Sequence, residues 1–106
     1  MGFWDFFQKR DINVGVEEYR AAEHAVLLDV RERDEYAQGH IPESRNLPLS
    51  AIAQAPSLAK DKAAPVFVYC LSGGRGSAAA AALRRMGYTD VHDIGGISAW
   101  RGEVER

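Results

Sequence analysis

The 106-residue chain predicts a single α/β layered domain built on a mainly parallel sheet. Three observations carry this expectation. Short apolar runs alternate with helix-like segments along the whole chain. Each run is nearly continuous in apolarity, as strands covered on both faces are. The single cysteine stands at the end of one such run and at the mouth of a glycine-rich loop that leads into a helix.

Taken in order, the strands are expected at Ala25–Asp29, Arg45–Leu47, Val66–Tyr69 and Val91–Ile94. The helices between and around them are expected at Val16–Ala22, a short one at Asp34–Gln38, Ala51–Lys60 despite Pro56, Gly76–Met86 stopped by Gly87, and Ser98–Gly102. The alanine run Ala78–Ala82 suits a helix packed closely on a sheet. In open α/β sheets ligands bind beyond the carboxyl ends of the strands, and both Asp29 and Cys70 fall at such ends.

Composition narrows the classes of function. Thirteen Lys and Arg against 15 Asp and Glu leave a net charge of −2, with the basic residues scattered apart from Arg84-Arg85, which argues against nucleic acid as a partner. One cysteine makes no intrachain disulfide and too poor a ligand set for structural zinc, so no metal is expected and a reducing, cytoplasmic setting is. His24 and His92 have no partners at metal-binding spacing. No stretch reaches the roughly 20 apolar residues of a membrane span. Residues 1–11 form an aromatic N-terminal segment, with Phe3, Trp4, Phe6 and Phe7 expected to dock on their own domain, and 12–106 form the domain itself.

The stretch Val66-Phe67-Val68-Tyr69-Cys70-Leu71-Ser72-Gly73-Gly74-Arg75-Gly76-Ser77 names the chemistry. A thiolate is the nucleophilic form of cysteine, and it needs donors or positive charge beside it. Backbone N–H groups of Leu71–Gly76 can turn inward where Gly73, Gly74 and Gly76 allow positive φ, the next helix adds its positive dipole end, and Arg75 adds a fixed charge. This loop is expected to favour the Cys70 thiolate. Cys70 and Arg75 enclose four residues, one fewer than the C-x5-R ring of cysteine phosphatases, so the loop suits a group smaller than phosphate, such as the terminal sulfur of a persulfide.

On these residues the chain resembles the single-domain rhodaneses, the thiosulfate:cyanide sulfurtransferase family. Leu27-Leu28-Asp29-Val30-Arg31 with Glu35-Tyr36, then Gly39-His40-Ile41-Pro42 with Asn46-Leu47-Pro48-Leu49, then Gly95-Gly96-Ile97-Ser98-Ala99-Trp100, stand in the family's order from about Ile12 to Glu103. The resemblance implies a three-layer fold with a five-stranded parallel sheet flanked by helices. It also implies ping-pong transfer of a sulfane sulfur from thiosulfate or a persulfide to cyanide or a thiol through a Cys70 persulfide, with no cofactor. The loop departs from commoner family versions in carrying neutral Leu71 and Ser72 beside the cysteine, and Gly76 where Ser often follows the arginine. A single positive charge should weaken capture of dianionic thiosulfate, and the extra glycine should make the loop easier to deform.

Cys70 is therefore read as the sulfur carrier, with Leu71, Ser72, Gly73, Gly74, Arg75 and Gly76 around the donor. Arg75 is read first as a donor contact, with an ion-pair role as the alternative. Asp29 and Arg31 are read first as structural supports behind the site, Asp29 capping the next loop and Arg31 pairing with Glu32 or Glu35. His40 is read as structural because the chemistry needs no base, and Tyr69 and Trp100 as core aromatics. Two rival readings stay open: a sulfur-relay or protein-interaction module of the same fold, and a small phosphatase or arsenate reductase.

Overall fold

The computed structural model describes residues 10–106, so the expectation for Phe3, Trp4, Phe6 and Phe7 lies outside the described residues. The elements run α1 (Ile12–Ala21), β1 (Val26–Asp29), α2 (Arg33–Gln38), β2 (Arg45–Asn46), a 3-10 segment (Leu49–Ser57), β3 (Val66–Cys70), α3 (Gly74–Arg85), β4 (Val91–Gly96) and a short 3-10 turn (Ile97–Ala99). The strands form one parallel sheet in the order β2-β1-β3-β4. The resemblance implies five strands; among the described residues there are four, and β2 is only two residues long.

Strand β3 shows why the sheet is a middle layer. All five of its residues are buried, and successive side chains point to opposite faces. Val66, Val68 and Cys70 join Leu28, Leu83 and Ala79 in a core beneath α3 and the 3-10 segment. Phe67 and Tyr69 join Ile12, Val16 and Leu27 in a second core beneath α1. Parallel strands joined by crossovers place all four carboxyl ends on one rim, which collects Asp29, Asn46, Cys70 and Gly96.

Several boundaries differ from expectation for identifiable reasons. Helix α1 begins four residues early, capped by the Asp11 side chain, which accepts from the Asn13 N–H at 2.9 Å. Gly15 is where α1 meets the sheet: a Cβ there would lie 2.4 Å from Ile94 Cβ. The segment at Leu49–Ser57 forms 3-10 turns interrupted at Ala51 where an α-helix was expected, because Pro56 removes a donor and its ring crowds the preceding turn. The expected helix at Ser98–Gly102 is only the turn Ile97–Ala99, since the Trp100 ring folds onto Gly102 and its Nε1 donates to the Glu103 carbonyl at 2.9 Å. Strand β4 runs through the glycine pair to Gly96, which pairs with Cys70.

Gly15→Ala is expected to destabilise the domain by about 1–3 kcal/mol through overpacking against Ile94. Gly74→Ala, with open space at its Cβ, should stay within about 0.5 kcal/mol of wild type. Urea denaturation of the two variants checks the contrast.

Candidate functional site

Cys70 is the last residue of β3, and the chain turns at once into α3 through three residues. Gly73 makes that turn: it has φ +124°, a conformation that L side chains rarely adopt. Its N–H donates to Cys70 Sγ at 2.9 Å. The helix then begins at Gly74, two residues earlier than expected, so Arg75 and Gly76 belong to its first turn rather than to a loop. Of the three glycines only Gly73 uses positive φ among the described residues. Gly76 is needed for a different reason, because a Cβ there would lie 2.9 Å from Asp93 Oδ1. That contact corrects the expectation that Gly76 loosens the loop.

The other side of the turn rests on the end of β4. A Cβ on Gly96 would lie 2.2 Å from the Leu71 carbonyl oxygen, and the Ser98 N–H donates to that same oxygen at 3.0 Å. The approach of two backbones thus requires glycine at position 96. No side chain caps the start of α3, so the first-turn N–H groups that have no partner within the helix are left to other acceptors. Cys70 is 1% exposed, Leu71 is 46% exposed, and Ser72 is exposed. A hollow of about 430 Å³ opens beside Leu71, walled by Arg31, Glu35, Gly39, Ile97 and Ser98. A larger hollow, about 520 Å³, lies away from the turn and involves neither Cys70 nor any residue from Leu71 to Gly76.

Arg75 is held by an ion pair. Its two terminal nitrogens donate to the two Glu35 carboxylate oxygens at 2.7 and 3.0 Å, which is the alternative reading of this arginine. Glu35 also accepts from the Glu32 N–H at 2.8 Å as part of a capping box at the start of α2. The Arg75 hydrogen bonds hold the Glu35 carboxyl down at about 2, from an ordinary 4.5.

Asp29 and Arg31 form a second, buried pair at the rim. Arg31 Nη2 donates to Asp29 Oδ2 at 2.7 Å and to the Gly39 carbonyl at 2.8 Å, and the Arg31 N–H donates to Asp29 Oδ1 at 2.9 Å. Arg31 therefore pairs with Asp29, not with Glu32 or Glu35, because the turn after β1 folds its guanidinium back over the strand end. Asn46 locks the same turn by donating to the Asp29 and Arg31 carbonyls, both at 3.0 Å. Tyr69 is buried, its hydroxyl accepting from the Ile41 N–H at 3.1 Å and lying 3.0 Å from Ser44 Oγ. His40 stacks on Tyr36 at 3.7 Å and takes no part in the turn at Cys70. Trp100 packs on the α1-side core.

Glu35 and Gly96 are the residues whose roles sequence reasoning did not assign. The Glu32-x-x-Glu35 spacing signals the cap of α2, but the partner forty residues further on leaves no local signal. The Gly95-Gly96 pair is a signal of close backbone approach.

Comparison with known proteins is consistent with this geometry. Residues 15–103 match the model of the rhodanese-like domain. The chain is 40% identical over 92 residues to the uncharacterized protein YqhL of Bacillus subtilis, covering 84% of this chain and 71% of that protein. It is 38% identical over 85 residues to the thiosulfate sulfurtransferase GlpE of Pseudomonas putida, covering 79% and 76%. The adenylyltransferase and sulfurtransferase uba4 of Ogataea parapolymorpha is 32% identical over 98 residues, 92% of this chain but 25% of that protein. Among solved structures, a rhodanese with anions from E. coli superposes with a TM-score of 0.73 at 30% identity, covering 77% of this chain and 98% of the other.

Two outcomes follow from the ion pairs. Asp29→Ala leaves a buried arginine uncompensated and should cost about 3–5 kcal/mol in urea denaturation. Glu35 titrates below its unfolded value, so its stabilisation is complete above about pH 4.5 and is lost as the pH falls towards 2. Because the pair is about one-third exposed, that loss is on the order of 1 kcal/mol, and Glu35→Gln should remove it from the acid limb of the stability profile.

Proposed function

Because the chain belongs to the rhodanese-like domain family, whose relatives here include thiosulfate sulfurtransferases, we propose that it transfers a sulfane sulfur through a persulfide on Cys70. The observation that carries this reading is the Gly73 N–H directed at Cys70 Sγ from the head of an uncapped helix. An N–H at 2.9 Å stabilises negative charge on sulfur, and the helix dipole adds to it.

In the first half-reaction the Cys70 thiolate attacks the outer sulfur of the donor. With thiosulfate the S–S bond breaks and sulfite leaves with the bonding pair, so Cys-S⁻ and S₂O₃²⁻ become Cys-S-S⁻ and SO₃²⁻. In the second, cyanide or a thiolate attacks the outer sulfur, the Cys70 S–S bond breaks, and thiocyanate or a new persulfide departs as Cys70 returns to thiolate. Splitting one transfer into two displacements is the gain of covalent catalysis. The Gly73 N–H, with those of Gly74, Arg75 and Gly76, holds the terminal sulfur, while Leu71 and Ser72 border its approach. Neither half-reaction calls for a metal, an organic cofactor or a general base.

Exposed Leu71 at the mouth of a buried cysteine favours a second reading, in which sulfur arrives on another protein and the domain serves as a relay. The reducing cytoplasm is the compartment that a lone, unpaired thiol suits.

Incubation with thiosulfate, and separately with glutathione persulfide, is expected to add one sulfur atom to the intact mass, and cyanide to remove it as thiocyanate. Cys70→Ser should abolish both gain and product while the far-UV circular dichroism is unchanged. Turnover retained in that variant contradicts the reading. Sulfur gain only from a persulfide-bearing protein selects the relay.

A further inference from the structure

The cleft beside Leu71, the residue after Cys70, has one arginine in its wall and a second, Arg75, stands nearby in the first turn of α3; the fold pairs both. Arg31, on its wall, is bound to Asp29 and to the Gly39 carbonyl. Arg75, in the first turn of α3, gives both terminal nitrogens to Glu35. Glu35 itself lines the cleft beside Leu71, and the Glu32 N–H fixes its orientation from behind. An anion that arrives at this mouth meets an exposed leucine, a carboxylate and a guanidinium whose donor fork is already filled.

We propose that Glu35 is the specificity-determining residue of this cleft: by occupying Arg75 it disfavours donors that bring two negative charges towards Cys70 and favours sulfur delivered as the singly charged end of a persulfide. The substrate preference rests on the reading of Cys70 as the sulfur carrier. The electrostatic effect does not, since it acts on any anion that approaches the thiol. Glu35 remains ionised through the neutral range, held there by Arg75, so the cancellation operates wherever the protein works. To recruit Arg75, an anion must displace a bidentate carboxylate already in place. Arg75 stands in the first turn of α3, the helix whose head carries the Gly73 N–H onto Cys70 Sγ, so releasing the arginine changes the field near the reacting atom.

The test uses the full chain, in which Cys70 is the sole cysteine, and compares alkylation by iodoacetate, an anion, with alkylation by neutral iodoacetamide. In each case the Cys70 sulfur displaces iodide, and intact mass reports the rate. In the wild type the iodoacetate-to-iodoacetamide ratio should be no greater than that of N-acetylcysteine amide, a free thiol. Glu35→Gln retains a side-chain carbonyl for the Glu32 N–H while freeing Arg75, and should raise the ratio about fivefold at low salt. The double variant Glu35→Gln/Arg75→Gln should return it to the wild-type value, because Arg75 is the source of the gain. In the transfer assay, Glu35→Gln should lower the KM for thiosulfate by a similar factor and change that for the persulfide of N-acetylcysteine amide, whose only charge is on sulfur, less than about twofold.

A wild-type ratio severalfold above the free thiol overturns the proposal without any variant. So does an unchanged ratio in folded Glu35→Gln, or a gain that persists in the double variant. Alkylation needs only the thiol, so loss of the sulfurtransferase reading and loss of this one are separate results.

Discussion

The rim that carries Cys70 depends on the contact of two backbones at the ends of β3 and β4. Gly96 has no side chain, and the Leu71 carbonyl occupies the space where one would be. The Ser98 N–H closes the contact by donating to that oxygen. With Leu71 fixed on one side, the chain has only Ser72 and Gly73 in which to reverse and start α3. Positive φ at Gly73 accomplishes this and turns its N–H onto Cys70 Sγ. Gly76 allows the first turn of α3 to sit against Asp93 on β4. Three glycines thus meet three different requirements: one close approach, one left-handed turn and one packing surface. Preorganisation of the donors comes from the sheet and helix to which the turn is bound, not from the flexibility of glycine.

Charge at the rim is arranged to hold structure. The buried Asp29–Arg31 pair is satisfied by the turn it stabilises, with Gly39 and Asn46 completing the hydrogen bonds. Burial of such a pair gives little net stability, while removal of one partner is costly, so its value lies in fixing the turn after β1 beside the cleft. The Arg75–Glu35 pair links the head of α3 to the head of α2 across forty residues of chain. Both pairs bring the walls of the cleft into a fixed relation to Cys70, and both reduce the positive field that a small anion would follow.

Much of this was legible in the sequence. The strand-loop-helix reading around Cys70 needed only an apolar run, a glycine cluster and an alanine-rich helix, signals that are all local. Strands β1 and β3 were likewise marked by continuous apolarity, whereas β2 is Arg45–Asn46 and β4 carries His92 and Asp93. The failures have a common cause, which is that they depend on contacts distant in sequence. Helix α1 was expected to start at Val16, after Gly15, because Ile94, which that glycine packs against, is on another element. The ion pair of Arg75 stood only as the alternative, with no partner named, because Glu35 lies on another helix. Arg31 was assigned to Glu32 or Glu35 by proximity along the chain, whereas the turn after β1 directs it to Asp29. Pro56 was the opposite case, a local signal against an α-helix that the apolar pattern outweighed in the reading.

The central claim is that the amides at the head of α3 hold the sulfur on Cys70. The most direct measurement is the ¹H–¹⁵N spectrum of the protein before and after Cys70 is loaded with one sulfur, with intact mass as proof of loading. The account predicts that the amide resonances of Gly73, Gly74, Arg75 and Gly76 shift on loading and return after cyanide treatment, while that of Gly15 in α1 stays in place. A protein that gains one sulfur with those four amides unmoved would contradict it.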